Sequence, residues 1–237
     1  MSIQDFPALL AGNPYPGRGI LIGRTADNAK AVITYFIMGR SVNSRNRIFE
    51  KTEDGIRTKA FDESKMTDPS LIIYHPVRVC GPVTIVTNGD QTDTIRDALQ
   101  DGHCYRHALK TRTFEPDGPN WTPRISGVVK GDGSYALSIL KTMDNDGDTC
   151  QRFFFEYDGP KAGVGHFIST YQSDGEPLPS FHGEPIAVAV DEADPQAWAD
   201  KVWKALNQDN KVSLFVRYID LATKETQDVI RNKHQEG

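Results

Sequence analysis

Positions 31–38 are almost continuously apolar, a run that suits a strand buried on both faces. The apolar triplet Ile20, Leu21 and Ile22 precedes it, and Asp27 with Asn28 supplies a turn that makes the two a strand pair. Short stretches rich in β-branched residues follow at 71–74, 77–79 and 83–87, separated by Pro76 and by Gly81 with Pro82, as in a meander. Ile95, Ala98, Leu99, Tyr105 and Leu109 then fall near one helical face, which predicts a helix over 94–110, capped by Thr92 or Asp93 and weakened at Gly102. Strand composition returns at 126–129, 135–142 and 149–157, with hairpin turns at Gly131-Asp132-Gly133 and at Asp146-Gly147, and again at 167–171. Trp198, Val202 and Leu206 recur every four residues and predict a second helix, with Asp194 as its cap and Pro195 in its first turn. A strand over 212–221 follows. Many antiparallel-looking strands with few helices predict an α+β sandwich, because the regular strand-helix alternation of a parallel sheet is missing.

No repeat, linker or low-complexity tract divides the 237 residues, so a single domain over 1–237 with one sizeable core is expected. The 27 Lys and Arg against 32 Asp and Glu give no global positive field for nucleic acid, so an anion site must be local. Cys80, Cys104 and Cys150 stand far apart without a paired spacing, which fits a reducing cytoplasm. The first residues lack a basic flank and a long apolar run, and no later segment has a spanning length free of charge; a soluble, unsecreted protein away from the membrane is expected.

Several motifs fail on spacing. The glycines of 17–23 fit neither a dinucleotide nor a P-loop pattern and lead into strand-like residues, so they read as a turn before a strand. His103 and His107 lack the intervening glutamate of a zinc-protease helix. In Asp144-Asn145-Asp146-Gly147-Asp148 the glycine is one position early for a calcium loop, which leaves a solvated turn. No Gly-x-Ser-x-Gly elbow is present.

What survives is basic and local. Arg40, Arg45, Asn46 and Arg47 lie just after the apolar run, in a loop whose guanidinium groups could converge on one anion; a solvated basic turn is the alternative. Asn88, Gly89 and Asp90, followed by Thr92-Asp93-Thr94, form a strand-to-helix junction where polar groups could meet a ligand or merely cap the helix. Asn88 is the better ligand candidate, since capping does not require it. Glu115 stands in a loop rich in proline and glycine just before Thr122-Pro123-Arg124, where partial desolvation would raise its pKa and suit it to proton transfer. Tyr74 and Arg78 flank a short strand and read locally as core and surface.

Taken in order, Tyr15-Pro16-Gly17-Arg18-Gly19, the 38–47 stretch, Thr87 through Ile95, Trp121-Thr122-Pro123-Arg124-Ile125 and Phe167 through Tyr171 resemble the inosine monophosphate (IMP) cyclohydrolase family of purine biosynthesis. The resemblance implies a four-layer αββα sandwich like that of N-terminal-nucleophile hydrolases. It implies closure of 5-formamidoimidazole-4-carboxamide ribonucleotide to IMP with loss of water, without cofactor or metal. Tyr74, Glu115 and Arg124 would then be catalytic, and Arg40, Arg45, Asn46, Arg47, Asn88, Gly89 and Asp93 would bind substrate. The partner is a purine ribonucleotide, not nucleic acid, and a homo-oligomer is left open. The rivals are a noncatalytic nucleotide-binding protein and an amide hydrolase on the same fold.

Overall fold

The computed structural model describes residues 2–66 and 68–235. Two antiparallel sheets carry the chain. The first runs in the order β11 (Ile186–Ala189), β10 (Val164–Ser169), β1 (Arg18–Arg24), β2 (Lys30–Met38), β12 (Lys211–Asp220), β13 (Thr226–Asn232). The second is a pure meander, from β3 (Arg47–Lys51) and β4 (Gly55–Ala60) through β5 (Val77–Cys80), β6 (Val83–Thr87) and β7 (Arg124–Val129) to β8 (Tyr135–Thr142) and β9 (Cys150–Tyr157).

Three apolar clusters define the layering. One joins the first sheet to α1 (Phe6–Ala11) and α5 (Pro195–Ala205), through Phe6, Phe36, Phe167, Trp198 and Val202. A second fills the space between the sheets, with Ile20, Ile33, Tyr35, Ile37, Val86 and Leu137. The third joins the second sheet to α3 (Gln91–Gln100) and α4 (Tyr105–Lys110), through Ile85, Ile95, Leu109 and Leu140. The strand β2 belongs to two clusters at once, because Val32, Phe36 and Met38 face the helices while Ile33, Tyr35 and Ile37 face the other sheet. Its continuous apolar run is the consequence.

Buried among these side chains, Trp198 donates from Nε1 to Thr34 Oγ1 at 2.8 Å. Thr34→Val keeps the shape and strands that N–H, so it is expected to cost about 1 to 3 kcal/mol in denaturant unfolding. An unchanged midpoint would show that the bond adds nothing.

Some expectations need correction. The helix over 94–110 is two helices, because Gly102 turns to φ +79 and the chain closes with His103 N–H on Ala98 O and Gly102 N–H on Leu99 O. This double bond at a left-handed glycine is a helix stop. The cap of α3 is Asp90, without a side-chain bond, rather than Thr92 or Asp93. Residues 71–74 are a turn instead of a strand: Ile72 and Ile73 both donate to Pro69 O, and Thr58 holds Tyr74 through its backbone and hydroxyl. The basic loop is only partly a loop, since α2 (Val42–Arg45) is a capped helical turn and Arg47 opens β3. Asp194 does cap α5, accepting from Ala197 N–H, with Pro195 in the first turn.

Candidate active site

A buried carboxylate, the buried Arg47 and the largely covered Arg18 gather where the ends of β1, β3 and β7 meet the loops after α4 and before β5. Glu115 is 3% exposed, and its loop is pinned where Glu115 N–H donates to Thr122 O at 2.8 Å. Arg18, at the start of β1, donates from Nη2 to both Glu115 oxygens at 2.9 Å. Asn88 Nδ2 adds a longer bond of 3.3 Å. Burial raises the Glu115 pKa, and the charges of Arg18 and Arg124 oppose this without overcoming it. Arg18 is desolvated as well, but the Glu115 carboxylate and the phenols around it outweigh that cost and hold it charged.

Arg47 differs from Arg18 in having no carboxylate partner among the described residues. It is 2% exposed, and among the described residues its side chain makes one hydrogen bond, from Nε to Ser44 O at 2.8 Å. Burial lowers its pKa, and the positive charge of Arg18 pushes in the same direction. Such a guanidinium needs an oxygen-bearing partner to offset its lost hydration. Tyr74, Tyr35 and Tyr15 lie within electrostatic reach of it. The hydroxyls of Tyr35 and Tyr74 are 2.8 Å apart, and burial drives the Tyr35 pKa well above that of a free phenol. Tyr171, within electrostatic reach of Arg18 and Glu115, is stacked on Tyr15 at 5.9 Å and hydrogen-bonded to Thr122 Oγ1 at 2.5 Å; burial pushes its phenol up to about 12. Thr122 in turn donates to Asp117.

The arrangement offers a carboxyl group of raised proton affinity, phenols that stay protonated, and a guanidinium in want of an anion. A family model described as IMP cyclohydrolase-like protein matches residues 15–225. The chain belongs to this family.

Curated relatives named IMP cyclohydrolase agree with that match. The protein of Methanopyrus kandleri is 30% identical over 161 residues, which are 66% of this chain and 75% of that protein. That of Methanococcus maripaludis strain C7 is 34% identical over 126 residues, 51% of this chain and 61% of the relative. That of Methanococcus aeolicus is 28% identical over 162 residues, 67% of this chain and 74% of the relative.

In this IMP cyclohydrolase-like chain a second polar knot adjoins the first. Arg124 Nη1 donates to Asp90 Oδ1 at 2.7 Å and to Gln91 Oε1 at 2.8 Å, while Arg112 Nη2 reaches the same Asp90 oxygen at 2.5 Å. A Cβ on Gly89 would lie 2.6 Å from Arg124 Nη1, so glycine is what lets the guanidinium sit there. Asn88 acts as a splint: its Oδ1 accepts from Ile125 N–H and Gln91 Nε2, and its Nδ2 donates to Pro123 O.

Six of the residues singled out by sequence therefore cluster around Arg18, namely Tyr74, Glu115, Arg47, Asn88 and, one step away, Arg124 and Gly89. The others do not. Asp93 pairs with Arg78 and Arg96 on the flank of α3. Asn46 is committed to the backbone of Asp62 through both ends of its amide. Arg45 holds Gly39 O and Asn210. Arg40 lies over the Tyr15 ring and pairs with Asp174 at the rim.

Arg18, Gln91, Thr122 and Tyr171, although within the motifs of the family resemblance, and Tyr35 were given no site role by sequence. Arg18 left the clearest trace, as a lone charge between two glycines at the mouth of an apolar strand. Tyr35 left none, because a tyrosine within an apolar run reads as core.

Proposed function

We propose that the protein is an IMP cyclohydrolase, closing 5-formamidoimidazole-4-carboxamide ribonucleotide to IMP and water at the Arg18–Glu115–Arg47 cluster. The observation that carries this reading is the buried Arg47, without a counter-charge among the described residues, in the field of Arg18, which itself holds a carboxyl of raised pKa, in a chain of this family. The helices outside two stacked sheets support a four-layer αββα sandwich like that of N-terminal-nucleophile hydrolases, formed as one domain over 1–237. No described helix is long and apolar enough to cross a membrane, and a cytoplasmic setting is proposed with the free thiols Cys80, Cys104 and Cys150.

Both reacting groups hang from adjacent ring carbons, so the enzyme must orient them rather than gather them. Arg47 receives an anionic oxygen of the nucleotide. Glu115 takes a proton from the carboxamide nitrogen as that nitrogen attacks the formyl carbon, and the formyl oxygen takes up a proton. Tyr74, backed by Tyr35, donates to that oxygen while its charge develops. Loss of the formamido N–H proton and departure of the protonated oxygen as water then leave IMP. One proton moves from nitrogen to oxygen in each step, so the balance needs no cofactor. Arg124 and Asn88 fix the wall that carries Glu115.

Purified protein incubated with the formamido ribonucleotide, without added metal, should yield IMP by mass and by ultraviolet change. Binding without turnover would instead make it a nucleotide-binding protein, and release of formate would make it a hydrolase.

The reaction's pH dependence follows from burial. Glu115 must be ionised to take a proton, so log kcat/KM should rise with pH through a value above the ordinary 4.5 of a glutamate, and then level off. Glu115→Gln should lack this limb. A limb at or below 4.5 would mean that the Arg18 charge, not burial, governs the carboxyl.

A further inference from the structure

The two sheets end in four outer strands, and three of them are guarded. Gln4 lies along β11, donating to Ala187 O and accepting from Ala189 N–H. The side-chain amide of Asn232 acts as a peptide against β3, accepting from Phe49 N–H at 2.8 Å and donating to Phe49 O at 3.0 Å. The strand β13 exposes Thr226 and Gln227 and carries Asp228 and Arg231, a polar edge. Charge and side-chain cover are the usual means of keeping an edge from pairing with another chain.

The fourth, β9, carries the charges of Arg152 and Glu156, but among the described residues neither a chain segment nor a side-chain amide pairs with its outer backbone. None of its eight residues is buried, although they include Phe153, Phe154, Phe155 and Tyr157, and Phe153 is 40% exposed. Among the described residues its backbone bonds to no segment other than β8. Phe153 and Phe155 line an open cleft of about 340 Å³ together with Ile139 and Phe181.

The sequence of this edge is self-complementary. If two copies of β9 run antiparallel about a twofold axis at Phe154, that residue meets itself, Phe153 meets Phe155 of the second copy, and Arg152 meets Glu156 of the second copy. Arg152 and Glu156 are already held on the helix side of the strand, the first by Arg112 O at 2.7 Å and the second by the Tyr105 hydroxyl at 2.8 Å. Opposite charges and aromatic pairs across neighbouring strands are favourable, and a twofold doubles each of them.

We propose that β9 is the interface of a homodimer, in which the second sheets of two copies join edge to edge into one continuous sheet. The partner is a second copy of this chain.

Sedimentation equilibrium at micromolar concentration should give twice the 26.4 kDa chain mass. Mild oxidation of Phe154→Cys should cross-link that dimer, whereas Phe153→Cys, which faces a different position, should not. Phe153→Lys changes a half-exposed side chain and should keep the native circular dichroism spectrum while raising the dimer dissociation constant at least about 100-fold, through the two symmetric losses. A wild-type protein that stays monomeric overturns the proposal. So does an oligomer that Phe153→Lys leaves intact, or one in which Phe154→Cys fails to cross-link.

Discussion

Glu115→Gln is expected to lose about 100- to 10,000-fold in kcat, the range that a positioned general acid or base supplies. The amide keeps the shape of the carboxyl and can still accept a bond from Arg18, but it cannot carry a proton from nitrogen to oxygen. The same change removes the counter-charge of the Arg18 guanidinium, whose side chain is only 12% exposed. It should therefore also cost about 3 to 5 kcal/mol of stability, as loss of one member of a buried pair does. Single-turnover measurement at a temperature where circular dichroism reports native protein separates the two effects. Turnover at the parent rate would remove Glu115 from the chemistry and leave it as the partner of Arg18.

Arg47→Met should split activity from stability in the other direction. Its guanidinium is buried without a carboxylate partner among the described residues and sits in the field of Arg18, so an apolar side chain of similar length is expected to stabilise the fold by about 1 to 3 kcal/mol. Substrate loses its anchor, and kcat/KM should fall about 100- to 1,000-fold, the scale of removing a preorganised donor from an enclosed site. Thermal unfolding and steady-state kinetics on the one variant test both halves. If it unfolds more easily and turns over normally, the bond from Arg47 to Ser44 O is the residue's purpose and the cluster is structural.

These two variants rest on residues that the sequence exposed unequally. The strand β2 was legible because an uninterrupted apolar run has few other uses, and α5 was legible because Asp194 and Pro195 mark its start chemically. The end of α3 was not, since the helical spacing of Tyr105 and Leu109 continues across the break that Gly102 makes. Arg47 was found as a charge but given to a loop. Its place at the head of β3 depends on pairing with β4, and local composition does not carry that information.

The candidate site shows the same division. Glu115 was legible because a carboxyl amid proline and aromatic residues suggests desolvation, and the structure buries it. Arg18 and Tyr35 come from strands remote in sequence, and only the stacking of the two sheets brings them to Glu115 and Tyr74. Asp93 lies outside the cluster for the opposite reason, because Thr-Asp-Thr at a helix start looks the same whether its carboxylate faces a ligand or, as here, pairs with Arg78.

A crystal structure of the protein soaked with IMP tests the central claim most directly. The nucleotide should lie with an oxygen about 2.7 to 3.2 Å from an Arg47 Nη atom and its base against Glu115 and Tyr74. A nucleotide bound elsewhere, with Arg47 still holding only Ser44 O, would contradict it.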